Sequence, residues 1–201
     1  MQIVKFRGIK PEIRILGVDD GPFEPDYSGK VPLVGAVFRG GKWLDGVMVK
    51  SIEKDGLDVT ECLIEMVRDS RHFGQLRILM TDGVTFAGFN VFNAKKFFRE
   101  TGLPVISISR ELPVMANIRR AVKHLPEWRE RWNIIKEAGK LYPIKTKNHE
   151  ATVYMQPVGV GRVDAGEVVK LSSTRSLVPE PLRAAHLIAT AIVRGESYGR
   201  V

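Results

Sequence analysis

Two apolar runs that each deliver an aspartate into a glycine turn constrain this chain more than any other feature. Residues 13–18 (IRILGV) place Ile13, Ile15, Leu16 and Val18 as a buried strand that runs into Asp19, Asp20, Gly21 and Pro22. Residues 76–81 (LRILMT) repeat the pattern and end in Asp82-Gly83. A carboxylate at the end of a buried strand either caps a turn or faces a cleft where it holds a divalent cation. Singly, either aspartate is accounted for by its turn.

The remaining chain alternates strands and helices around these two runs. Residues 31–38 and 42–49 flank Gly40-Gly41 and read as a hairpin. Over 57–71 the period changes to that of a helix, with Val59, Cys62, Leu63, Met66 and Val67 on one face and Asp58 and Glu61 at capping-box spacing. A second amphipathic helix is expected over 89–100, closed by Gly102, and residues 104–109 form a further buried strand ending at Arg110. Pro126 divides two helices, 112–125 and 127–138; Trp128, Trp132 and Ile135 form an apolar stripe on the second, and the pair carries Arg119, Arg120, Lys123, Arg129 and Arg131. A basic loop (140–147), a strand (151–158), a short helix (164–173) and a closing helix (181–194) with His186 on its apolar face complete the chain. The order predicts an α/β fold, a mixed sheet flanked by helices.

Composition narrows the setting. With 201 residues, 44% of them hydrophobic, and no compositional break, the chain is expected to form one domain over 1–201. A net charge of +8 points to a polyanionic partner: nucleic acid, an acidic membrane or a phosphorylated ligand. The single Cys62 excludes an internal disulfide framework and a cysteine-rich zinc site. No apolar run approaches the ~18 residues of a membrane span, and the amino terminus is too polar for a signal peptide, so a soluble cytoplasmic protein is expected.

Gly17-Val18-Asp19, Asp82-Gly83, the segment GLPVISISR ending in Arg110, and PEPLRAAH ending in His186 follow one another as in endonuclease V, which this chain resembles over about residues 13–195. The segments GVDDGPF and DGVTFAGFN are similar to those of endonuclease V relatives labelled endonuclease dU. The resemblance implies a ribonuclease H-like fold, a mixed sheet with helices on both faces, and nicking of nucleic acid. Carried over by position, it makes Asp19, Asp82 and Glu61 metal ligands, places Arg110 where that family has a lysine, and makes His186 the carboxyl-terminal catalytic histidine. The chain departs from endonuclease V at residues 84–89, which lack its histidine, and at residues 52–60, which lack its tyrosine-proline wedge.

Together the paired strand ends and the resemblance favour a Mg²⁺-dependent endonuclease acting on deaminated or damaged nucleic acid, DNA foremost, with Mn²⁺ as an alternative ion. Hard carboxylate oxygens suit Mg²⁺. Arg119, Arg120, Lys123, Lys145 and Lys147 are the expected phosphate contacts, with Asp20 and Asn90 supporting the ligands. Plainer readings stand beside these. Glu61 is accounted for by its capping box, His186 by a hydrogen-bonded core position, the basic helix faces by solvation, and the tryptophan pair by packing. Two other functions stay open: a nucleic-acid-binding protein without turnover, and a phosphatase or nucleotide hydrolase using the same carboxylates.

Overall fold

β1 (Arg14–Asp20) lies inside a seven-stranded sheet, and its five middle residues are buried. The computed structural model describes residues 3–146 and 151–198. On one side β1 pairs antiparallel with β2 (Lys30–Arg39), which turns into the outer strand β3 (Trp43–Glu53). On the other side it pairs parallel with β4 (Ile78–Asp82). β4 is followed by a two-stranded ribbon, β5 (Thr85–Phe86) and β6 (Asn90–Val91). β4 also pairs parallel with β7 (Val105–Ser109), and two antiparallel strands, β8 (Tyr142–Lys145) and β9 (Thr152–Val158), close the order β3-β2-β1-β4-β7-β9-β8. The expected hairpin turns at Gly40, whose φ of 56° and whose approach to the Pro11 carbonyl, 2.2 Å from where a Cβ would sit, admit only glycine.

Strand side chains alternate between faces, so each face gathers its own core. One carries Leu16, Val18, Leu79, Val105 and Val158 under α1 (Val59–Arg68) and α2 (Ala94–Thr101). The other carries Ile15, Ile78, Met80, Ile106 and Met155 under α5 (Arg162–Ser172), with Leu182 of α6 (Glu180–Arg194). α6 also covers Val34, Ala36 and Phe38 of β2 with Ala185 and Ala189. α3 (Met115–Val122) and α4 (Trp128–Glu137) form an arm over a smaller cluster of Val91, Val122 and Ile135, with Trp128 and Trp132 half-buried against it. Helices on both faces of a mixed sheet agree with the sequence reading. No described helix is long and apolar enough to cross a membrane.

Local differences have identifiable causes. The helix expected from residue 89 begins at Ala94, capped by Asn93, because the preceding residues fold into the β5–β6 ribbon around Ala87 and Gly88, both at positive φ. The basic loop contains a strand, β8, that uses β9 as its template. The capping box of α1 does not form: the Asp58 carboxylate accepts instead from the Glu53 amide and from Asn90 Nδ2.

Candidate active site

The parallel pairing of β1 and β4 aligns Val18 with Thr81, so Asp19 and Asp82 are the next residues on adjacent strands, about 5 Å apart along the sheet. Alternation sends both toward α6, on the face that carries Ile15, Gly17, Ile78 and Met80. Gly17 has a specific part in this. A Cβ there would lie 2.2 Å from the Pro181 carbonyl carbon, and its absence lets the start of α6 rest directly on β1. One turn further along α6, His186 Nδ1 reaches Asp19 Oδ2 at 2.8 Å. Asp19 Oδ1 accepts from the Asp20 amide at 3.0 Å, and the carboxylate is almost wholly buried.

The second carboxylate has a different partner. Arg110, just past β7, places Nη2 3.8 Å from Asp82 Oδ2. Burial pushes the Asp82 carboxyl up to about 6, the nearby Asp19 charge adds to this, and Arg110 opposes it. His186 moves upward too, chiefly through its hydrogen bond to Asp19. Two close carboxylates, one resisting ionisation, form a donor set that a hard divalent cation would stabilise, and Mg²⁺ needs no more than one or two such groups beside its waters. Among the described residues, no set of three His, Cys, Asp or Glu side chains is gathered closely enough to hold an ion.

The structure thus brings Asp19, Asp82, His186 and Arg110 together. It does not bring Glu61 to them. α1 packs on the opposite face of the sheet, and Glu61 is exposed there in an ion pair with Lys96 of α2. Nor does it place Asn90 behind the ligands: fully buried, Asn90 accepts from the Val59 amide at 3.1 Å and donates to Glu53 O and Asp58, so it stands in for the missing cap of α1. Asp20 points to the α1 face, where Oδ2 accepts from the Ala87 amide at 2.9 Å. Burial, followed by the Asp19 charge, pushes the Asp20 carboxyl up to about 7.

Arg119 and Arg120 lie on the exposed side of α3 and Lys123 just past its end; Arg119 lies over the Trp132 ring and Lys123 over Trp128. Lys145 is exposed on β8, and Lys147 lies outside the described residues. Arg131 belongs to no basic surface. It is buried, and its guanidinium donates to the carbonyls of Asp55, Gly56, Phe89 and Pro126, bracing the ribbon and the entry to α1 against α4. Its place between Trp128 and Ile135 on the apolar stripe of the helix was the available sign.

Sequence reasoning also missed a cavity of about 520 Å³ that opens between the arm and the ends of β4, β7 and β9. Gly83, Ser109, Phe89, Met115, Ile135 and Gln156 are among its lining residues. It adjoins the acidic site through Gly83, next to Asp82, and Ser109, next to Arg110.

The order of this sheet, with helices on both faces, is that of the ribonuclease H-like fold, which endonuclease V shares. Endonuclease V of Ciona intestinalis, solved with a 24mer DNA containing an inosine, superposes with a TM-score of 0.57 at 11% identity, over 86% of this chain and 82% of that one. A protein of unknown function from Archaeoglobus fulgidus superposes at 0.81 with 34% identity, over 91% of this chain and 99% of that one. A UPF0215 protein of Methanosarcina mazei is 50% identical over 96% of each chain. The chain belongs to the Endonuclease dU family, whose profile matches residues 11–193.

Proposed function

We propose that the protein is a Mg²⁺-dependent endonuclease that cuts deaminated or otherwise damaged nucleic acid, DNA foremost, by phosphodiester hydrolysis. The observation that carries this reading is the convergence of Asp19 and Asp82 at adjacent ends of parallel strands, each with its own partner, His186 and Arg110. Family membership and the DNA-bound relative support a nuclease acting on nucleic acid. The cavity beside Gly83 is within the ~300–1,000 Å³ range of small-ligand sites and suits an extruded base.

Asp19 and Asp82 are the residues that would hold Mg²⁺, or Mn²⁺ in its place. Such an ion supplies Lewis acidity toward a phosphoryl oxygen and lowers the pKa of a bound water. Arg110 keeps guanidinium N–H groups beyond its contact with Asp82, and these bind a phosphate oxygen and offset charge built up in the transition state. His186 is anchored through Nδ1, so its Nε2 is the atom that exchanges a proton with water or the leaving oxygen. Because Asp19 raises its pKa, the imidazolium persists to higher pH than in a free histidine.

Purified protein with Mg²⁺ and then Mn²⁺, tested on single- and double-stranded substrates containing deoxyinosine, deoxyuridine or no lesion, checks the proposal. Loss of one ligand in Asp82→Asn is expected to lower cleavage by at least ~100-fold, since each ~1.4 kcal/mol of transition-state stabilisation is tenfold in rate. Cleavage that persists unchanged in Asp82→Asn removes the site from consideration. The separation of Glu61 from the carboxylate pair favours a second reading, a binding protein without turnover, which intact binding with no cleavage across the panel would select. Mononucleotides assayed beside polymers separate a nucleotide hydrolase from both.

A further inference from the structure

At the foot of the cavity, β7 and β9 set Ser107 and Gln156 side by side in the sheet register. Gln156 is only 8% exposed, and its Nε2 donates to the Gly139 carbonyl at 2.7 Å. That contact fixes the amide, because a carbonyl oxygen turned toward Gly139 O would meet a second acceptor. The bond to Gly139 is the hydrogen bond the Gln156 side chain makes among the described residues, which leaves Oε1 and one N–H of Nε2 over. Oε1 is not sealed off: Gln156 lines the cavity, and Oε1 stands there as an oriented acceptor open to a ligand. β9 lies two strand spacings, about 10 Å, from β4; the pleat turns Gln156 to the α1 face and Asp82 to the α6 face, so the cavity meets the carboxylates at the strand ends, where Gly83 lines it. Val84, Phe89, Met115, Ile118 and Ile135 supply apolar walls for a flat ring.

Deamination reverses the hydrogen-bonding order on one edge of a base. Cytosine offers an amino donor beside an unprotonated ring nitrogen, whereas uracil offers a carbonyl beside a ring N–H; adenine and hypoxanthine differ in the same sense. A freely turning carboxamide would follow either order, and one held by Gly139 cannot. Resting on the nuclease reading above, we propose that Gln156 is the specificity-determining residue of this site: its Oε1 accepts from the ring N–H of a deaminated base while the remaining N–H of Nε2 donates to the adjacent carbonyl.

The test measures the ratio of cleavage rates on oligonucleotides differing at one base, deoxyuridine against deoxycytidine and deoxyinosine against deoxyadenosine. The wild type is expected to favour the deaminated member of each pair. Gln156→Leu, similar in volume and unable to hydrogen-bond, should shrink each ratio by about 10- to 100-fold, a change that loss of stability alone does not produce. Gln156→Met replaces it if the leucine variant does not fold. Equal wild-type rates on both members, or a ratio unchanged in the variants, overturns the assignment while leaving the nuclease intact. If the wild type cuts nothing in the panel, the nuclease reading falls and equilibrium binding of the same oligonucleotides decides on Gln156. A wild-type preference for deoxyuridine that vanishes in the variant then supports it, and equal affinities overturn it.

Discussion

Asp20→Asn is expected to stabilise the protein, by an amount that depends on pH. Asp20 is partly buried next to Asp19, and its carboxyl is pushed from the ordinary 3.8 up to about 7, burial being the largest cause. The sign follows from proton counting. Below the unfolded value both states are protonated and there is no penalty. Between roughly 4 and 7 the unfolded chain ionises first, so the native state holds the extra proton and stability falls as pH rises. Above 7 the penalty is complete, about 3 pH units at ~1.4 kcal/mol each, on the order of 4 kcal/mol. Asparagine resembles the protonated form: its oxygen still accepts from the Ala87 amide, and it has no charge to bury. Denaturant titration in EDTA should show variant and wild type alike near pH 4 and the variant ahead by about 3–4 kcal/mol at pH 8. For a chain of this length that corresponds to roughly 6–16 °C in Tm. EDTA is needed because a cation at Asp19 would change the field on Asp20. A stability difference that does not change with pH would show that the Asp20 carboxyl carries no such penalty.

Gly17→Ala puts a Cβ against the Pro181 carbonyl and forces α6 away from β1; we expect a loss of several kcal/mol and, by NMR titration, a His186 pKa falling back toward the ordinary value of 6.5. Arg131→Met leaves four backbone carbonyls without their buried donor, at about 1–3 kcal/mol for each that water cannot reach, and Arg131→Lys should not rescue denaturation midpoints because one ammonium cannot span the four. Charge reversal at Arg119 and Arg120 should flatten the log–log salt dependence of polynucleotide affinity by about one unit per phosphate no longer neutralised; an unchanged slope assigns them to stacking on the arm and solvation.

What could be read from the sequence was whatever local periodicity determines. β1 and β4 stood out because each concentrates its apolar residues in one short run, and their terminal aspartates followed directly. The ribbon at residues 85–91 did not, because strands of two residues are too short to show a period, and Val91 and Phe92 completed a helical pattern with Phe97 and Phe98. β8 was hidden because Pro143 and the flanking lysines read as a loop until β9 is there to pair with them. Glu61 was misplaced for a topological reason: spacing along the chain does not say which face of the sheet a helix covers. Gln156 could not be singled out at all, since it matters only once β9 lies beside β7 and Gly139 comes within reach.

Asp19 and Asp20 also show how one strand end serves two purposes. The pleat sends them to opposite faces, Asp19 toward α6 and His186, Asp20 toward the amide of Ala87. Ala87 is the bend of the β5–β6 ribbon, and the residues on either side of that bend, Thr85 and Phe89, line the cavity. Arg131 ties the same ribbon to α4 through the Phe89 carbonyl. The wall against which a base would rest is therefore fastened on one side to the strand that presents Asp19 and on the other to the arm that presents Arg119 and Lys123. A displaced ribbon would move the cavity relative to the carboxylates, which gives a reason for the fold to keep a poorly ionising acid at position 20. It follows that Asp20→Asn, whose amide oxygen still accepts from Ala87, should leave cleavage specificity in place. Asp20→Leu offers that amide no acceptor and should degrade specificity even where the fold survives. Equal specificity in the two variants would mean that Arg131 and Asp55, which also bonds to Ala87 and Phe89, position the ribbon without Asp20.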